Sequence, residues 1–209
     1  MVSAAQSFID FIISPAYAAG TNAPTALDTL NALYASLNGL IALVTGIAFL
    51  SGIVMIVRGV MMLKSFGQHS NMMGQRGEMM GPIVYILVGS VLLYLPSALG
   101  VSFGTFFGGS SASTLTVSNE EYQSMLAYAG NSSSAQLQET MKVLLGYTKL
   151  IGLVAFVRGW HIISHAGNPG VQPGSITKGI VHLVGGILAM NVLEFANVLA
   201  GTMGYAPLF

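Results

Sequence analysis

GIAFLSGIVMIVRGVMMLKSFG, residues 46–67, and GYTKLIGLVAFVRGWHIISHAG, residues 146–167, are two versions of one pattern. Aligned without a gap they share Gly46/Gly146, Leu50/Leu150, Gly52/Gly152, Val54/Val154, Val57/Val157, Arg58/Arg158, Gly59/Gly159 and Gly67/Gly167, eight identities in 22 positions. Downstream the register slips by three residues, and Ile83-Val84 through Gly89 falls on Ile180-Val181 through Gly186. Two apolar runs joined by a loop, met twice, mark a repeated supersecondary unit. The sequence therefore predicts an all-α chain built as two tandem helical hairpins, with the shorter loop in the second.

Composition sets the solvent. Of 209 residues 53% are hydrophobic and 7% charged, far from the roughly 25% charged residues of a soluble domain. A bilayer core takes about 20 apolar residues per helix. Leu37–Val57 and Pro82–Phe107 meet that length without a charge, Val143–Ile163 carries Lys149 and Arg158, and Gly179–Leu199 is interrupted by Glu194. These predict four transmembrane helices in an integral membrane protein. With no cysteine, disulfides, thiolate nucleophiles and cysteine metal clusters are excluded. Seven basic residues and zero net charge leave no basic stripe for direct nucleic-acid binding.

Orientation follows from the basic residues. Arg58, Lys64 and Arg76 surround the first hairpin loop, and Arg158 and Lys178 the second. The positive-inside rule puts both loops in the cytoplasm. The termini and the central linker, which holds Glu120 and Glu121, then lie on the outer, periplasmic side. Lys142 and Lys149, at the outer start of the third span, pull mildly the other way.

The chain divides into an N-terminal segment 1–36, a first transmembrane hairpin 37–107, a Ser/Gly-rich linker 108–137 and a second hairpin 138–209. Within Ser7–Ala19 an apolar stretch ends in Ala-Tyr-Ala-Ala. That ending resembles a signal-peptidase site, but it lacks a positive n-region, so an uncleaved amphipathic segment is expected. Leu27, Leu30, Leu33 and Leu37 follow helical spacing, as an interfacial helix or an extension of the first span. In the linker, Ser118-Asn-Glu-Glu121 has the capping-box pattern for a short helix. From Ser134 a long helix runs into the third span, and Ser175 is placed to cap the fourth. The first loop interleaves Met72, Met73, Met79 and Met80 with His69, Arg76 and Glu78, as a lipid-resting loop or a docking surface.

Several residues stand out against this apolar background. Gly46, Gly52, Gly59, Gly146, Gly152 and Gly159 allow close helix contact, which drives association in lipid, and packing is their expected role. Arg58 and Arg158 sit near the inner helix ends. There a guanidinium can snorkel to the headgroups and grip phosphate, and the repetition suggests a contact with lipid phosphate or with a neighbouring subunit. Lys149 and Glu194 reach the same depth if the hairpin is straight and antiparallel. They are read as an intramembrane polar pair, with Asn191 and Asn197 nearby; the first copy has Phe49 and Ser97 instead. His161 and His165 have metal-ligand spacing, but two ligands do not make a site, and interfacial histidines are expected. No catalytic triad, phosphate loop or dinucleotide motif is present. No catalytic residue, metal or cofactor is expected beyond bound phospholipid.

The run Lys149–Trp160, KLIGLVAFVRGW, with QPGS at 172–175 and KGIVHLVGGI at 178–187, resembles the IcmC/DotE family of Dot/Icm type IVB secretion systems. That family is related to DotV, IcmD and membrane proteins of IncI-type conjugation systems. The likeness is strongest over 143–193 and weaker from 44 to 100. It implies an inner-membrane structural or channel subunit of an apparatus that exports protein or DNA. The expected partners are membrane lipid, other secretion-system membrane subunits and further copies in a homo-oligomer. A pilin-like unit that polymerises with phospholipid is the alternative, and a small independent transporter a weaker one.

Overall fold

A computed structural model describes residues 25–69, 80–108, 135–166 and 174–205. The N-terminal stretch to residue 24, the methionine-rich loop 70–79, the linker with its Ser118 capping box and most of the second loop lie outside the described residues. Among the described residues every regular element is an α-helix: α1 Ala26–His69, α2 Met80–Leu93, α3 Leu95–Phe107, α4 Ala135–His165, α5 Ser175–Met190 and α6 Val192–Thr202. Two of them are long and apolar enough to cross a membrane, and four crossings result if each bent pair, α2 with α3 and α5 with α6, counts as one.

Helix α1 joins the predicted leucine stretch to the first apolar run without a break. Its 44 residues span about 66 Å at 1.5 Å per residue. It starts in a capping box: the Thr25 backbone N–H and hydroxyl donate to Asp28 Oδ2 at 3.0 and 2.6 Å, and the Asp28 N–H donates back to Thr25 Oγ1 at 3.3 Å. Helix α4 begins at Ala135 and likewise runs through its apolar stretch unbroken. At the start of α5 the expected cap is displaced. Gly174, in the left-handed region at φ 93°, takes the N-cap position, and Ser175 is the first helical residue.

Glycines set how closely the helices approach. A Cβ on Gly52 would lie 2.9 Å from the Gly89 carbonyl oxygen, and one on Gly59 would lie 3.0 Å from that of Pro82, so α1 and α2 run antiparallel with backbones touching. In α4 and α5, a Cβ on Gly152 would lie 2.7 Å from the Gly186 oxygen and one on Gly159 would lie 2.9 Å from the Gly179 oxygen. Residues 52, 59, 82 and 89 thus meet as 152, 159, 179 and 186 do. Gly46 is different, with nothing within 4 Å of its Cβ position. Six residues from Gly52 is a rotation of about 240°, off the contact stripe. Gly146 shares that rotation but is buried, because α4 packs against α1 and α2 as well as against its own partner α5.

Neither Pro82–Phe107 nor Gly179–Leu199 is a straight span. The first bends by 92° between α2 and α3, the second by 94° between α5 and α6. The corners fall on Tyr94 and Asn191, which correspond in the repeat. At both, the corner N–H donates four residues back, to Ser90 O at 3.2 Å and Ile187 O at 3.2 Å, and the corner carbonyl accepts from four residues on, at 2.9 Å. Pro96 sits at the start of α3, where a missing N–H costs nothing. The second corner has Leu193 there, so proline is not what makes the bend. A corner at Asn191 suits a residue of weak helix propensity.

The core gathers Ala48 and Met55 of α1, Tyr85, Val88 and Leu92 of α2, Leu95, Leu99 and Phe103 of α3, and Leu153, Phe156, Ile187 and Met190 of α4 and α5. Outward faces are largely apolar: Leu50, Val101, Ile151 and Val181 are all more than 60% exposed. Hydroxyls on the helices, such as those of Thr45, Ser90 and Ser102, donate to carbonyls one turn back, which satisfies them where water is absent.

Candidate functional site

The glycine contacts fix the level of every neighbouring side chain. Gly59 meets Pro82 and Ile86, which sets Tyr85 of α2 level with Arg58 of α1. The Tyr85 ring in turn lies 5.8 Å from the His165 ring of α4. At the far end Lys142 Nζ lies 4.5 Å from the centre of the Tyr34 ring, so α1 and α4 run in the same direction. Arg58 is therefore level with His165 and not with its repeat partner Arg158, which is seven residues earlier on α4. The stagger is about 10 Å along the bundle. The two arginines occupy equivalent places in their own helix pairs and different depths in the molecule.

Around Arg58 the three helices leave an open groove of about 420 Å³. Ile47, Leu50, Ser51, Val54, Met55 and Arg58 of α1 form one wall, with Tyr85 of α2 and His161 and His165 of α4 opposite. Each histidine is oriented by its own helix. His161 Nδ1–H donates to the Val157 carbonyl at 3.1 Å and His165 Nδ1–H to the His161 carbonyl at 2.8 Å, with the Ser164 hydroxyl 3.1 Å away. Nε2 is then the ring nitrogen open to a ligand. Among the described residues no group of three or more His, Cys, Asp or Glu side chains could hold a metal ion. His161 and His165 are brought together with Arg58, a combination that helical spacing on one chain segment does not reveal. Tyr85 is one member of an apolar run in the sequence, with no motif around it that marks this placement.

Lys149 lies elsewhere, 5% exposed on α4. Gly152 faces Gly186 and Met190, so one turn earlier Lys149 comes level with Asn191, the buried corner residue. Glu194 is in the first turn of α6, past the 94° corner. Equal depth counted from the loop ends pairs Lys149 with Glu194; the register of the glycine contacts puts Asn191 at that level instead, and Glu194 lies beyond the corner. Phe156 and Trp160 stack edge to face at 6.2 Å nearby on α4, and the buried Trp160 Nε1 has no hydrogen-bond acceptor.

Comparison of the chain with protein-family models, with curated proteins and with solved structures finds no match.

Proposed function

We propose that this chain is an inner-membrane structural subunit of a type IVB, Dot/Icm-like, secretion or conjugative translocation apparatus, built as two tandem hairpins. The observation that carries the reading is the pair of glycine-locked, antiparallel helix pairs. Both close backbone to backbone at corresponding residues, and their outward faces are largely apolar. Such a unit is rigid inside and free to lie against other membrane helices. The likeness of residues 143–193 to IcmC/DotE supplies the apparatus, and the five basic residues around the two loops support cytoplasmic loops with a periplasmic linker. No catalytic chemistry is part of the proposal.

The pilin-like alternative treats each hairpin as a unit able to assemble by itself. Packing of α4 against both α1 and α2 counts against it, because the two pairs share one core. Gentle extraction from native membranes tests the proposal. Co-purification of several other integral membrane subunits of one translocation system is the expected result. Recovery of the chain by itself, or with a soluble transporter partner, would sink it.

A further inference from the structure

We propose that the groove between α1, α2 and α4 binds an anionic phospholipid, with its phosphate at Arg58 and one acyl chain along Val54, Leu50 and Ile47. The two ends of the groove differ in chemistry. One is lined by Arg58, Tyr85, His161 and His165, with no carboxylate among the lining residues; the other is a wall of mostly aliphatic side chains. From Arg58 to Ile47 is eleven residues, about 16 Å along the helix, so a ligand filling the groove needs an anionic head and a long apolar tail. A volume of about 420 Å³ lies in the ordinary range for small-molecule sites, about 300–1,000 Å³. A guanidinium grips phosphate oxygens through two parallel N–H donors. Because the walls come from both helix pairs, the groove is made where the pairs join. Arg158 has its own helix pair around it but not this junction, so the proposal separates two arginines that the repeat makes look alike.

The site rests on the membrane reading and not on the secretion assignment. Its test uses the full chain purified in maltoside detergent, with unfolding followed by intrinsic fluorescence. Phosphatidylglycerol should raise the midpoint, and phosphatidylcholine and inorganic phosphate should not. In Arg58→Ala the apparent affinity for phosphatidylglycerol should fall about tenfold or more, since charge-assisted contacts are lost, whereas Arg158→Ala should bind as the native chain does. Leu50→Trp fills the groove from a position that is 63% exposed, so it should abolish the shift without lowering the lipid-free midpoint. It decides the matter if Arg58→Ala does not fold. An equal shift with phosphatidylcholine or with inorganic phosphate alone overturns the proposal, as does an undiminished shift in Arg58→Ala or Leu50→Trp. Release of the chain from membranes by alkali would overturn the membrane reading itself. A membrane-integrated chain that ignores phosphatidylglycerol would overturn this site alone.

Discussion

Gly152 and Gly46 are both glycines inside long helices, and a single added methyl group should have opposite effects at the two. At Gly152 the methyl carbon would sit 2.7 Å from a backbone oxygen and 2.8 Å from the Met190 nitrogen, and neither atom can move unless α4 and α5 separate. Overpacking of this kind costs about 1–3 kcal/mol. At Gly46 the space is open, and alanine gains up to about 1 kcal/mol in helix propensity. Gly152→Ala should therefore lower the unfolding midpoint in detergent by several degrees, while Gly46→Ala leaves it unchanged or raises it. Equal midpoints for the two variants would show that the close contact does not bear on stability. The level of Lys149 supports a second prediction. A double-mutant cycle of Lys149→Met with Asn191→Leu should show coupling of about 1 kcal/mol, a typical size for polar contacts between membrane helices. The cycle with Glu194→Gln should be close to additive. A larger coupling with Glu194 would restore the pairing inferred from equal depth.

At the scale of elements the corners are the feature to measure. If α2 and α3 formed one straight helix, Met80 and Phe106 would stand about 39 Å apart at 1.5 Å per residue. With a right-angle bend of 92° at Tyr94 the separation is about 28 Å. Spin labels on cysteines placed at 80 and 106 of this cysteine-free chain should give the shorter distance, in the native sequence and in Pro96→Ala alike, because the second corner bends without a proline. A separation near the longer value in either would show a straight span. The long helices were legible from their apolar runs, and the spacing of Gly52 with Gly59 and of Gly152 with Gly159, nearly two turns, marked the contact stripe. The corners were not legible. Tyr94-Leu95-Pro96 reads as a tolerable helix start inside an apolar stretch, and Asn191 reads as one polar residue among many apolar ones. Hydropathy sums over both legs and carries no direction. The groove was illegible for a related reason. Its histidines and its arginine lie on different helices, and the stagger that unites them is a property of packing between pairs.

For the whole molecule, the proposed orientation predicts that cysteines at Gln68 and Gln172 stay protected from an impermeant maleimide in intact spheroplasts while one at Ser113 is labelled; the reverse pattern would invert the topology. In that orientation the bent legs α3 and α6 lie toward the outer side, and α1 continues past them. Measured from Gly52, where α1 bears on α2, the helix has 26 residues before it ends at Ala26, about 39 Å of rigid rod. A rod of that length is a lever. A rocking of ten degrees about Gly52 would sweep its far end by about 7 Å and shift the Gly59 contact by about 2 Å, and the Tyr34–Lys142 contact links the outer ends of α1 and α4. A pull on the outer ends of these helices would thus reach the membrane interior as a small turn at Gly52, and a small turn there would return as a large displacement outside.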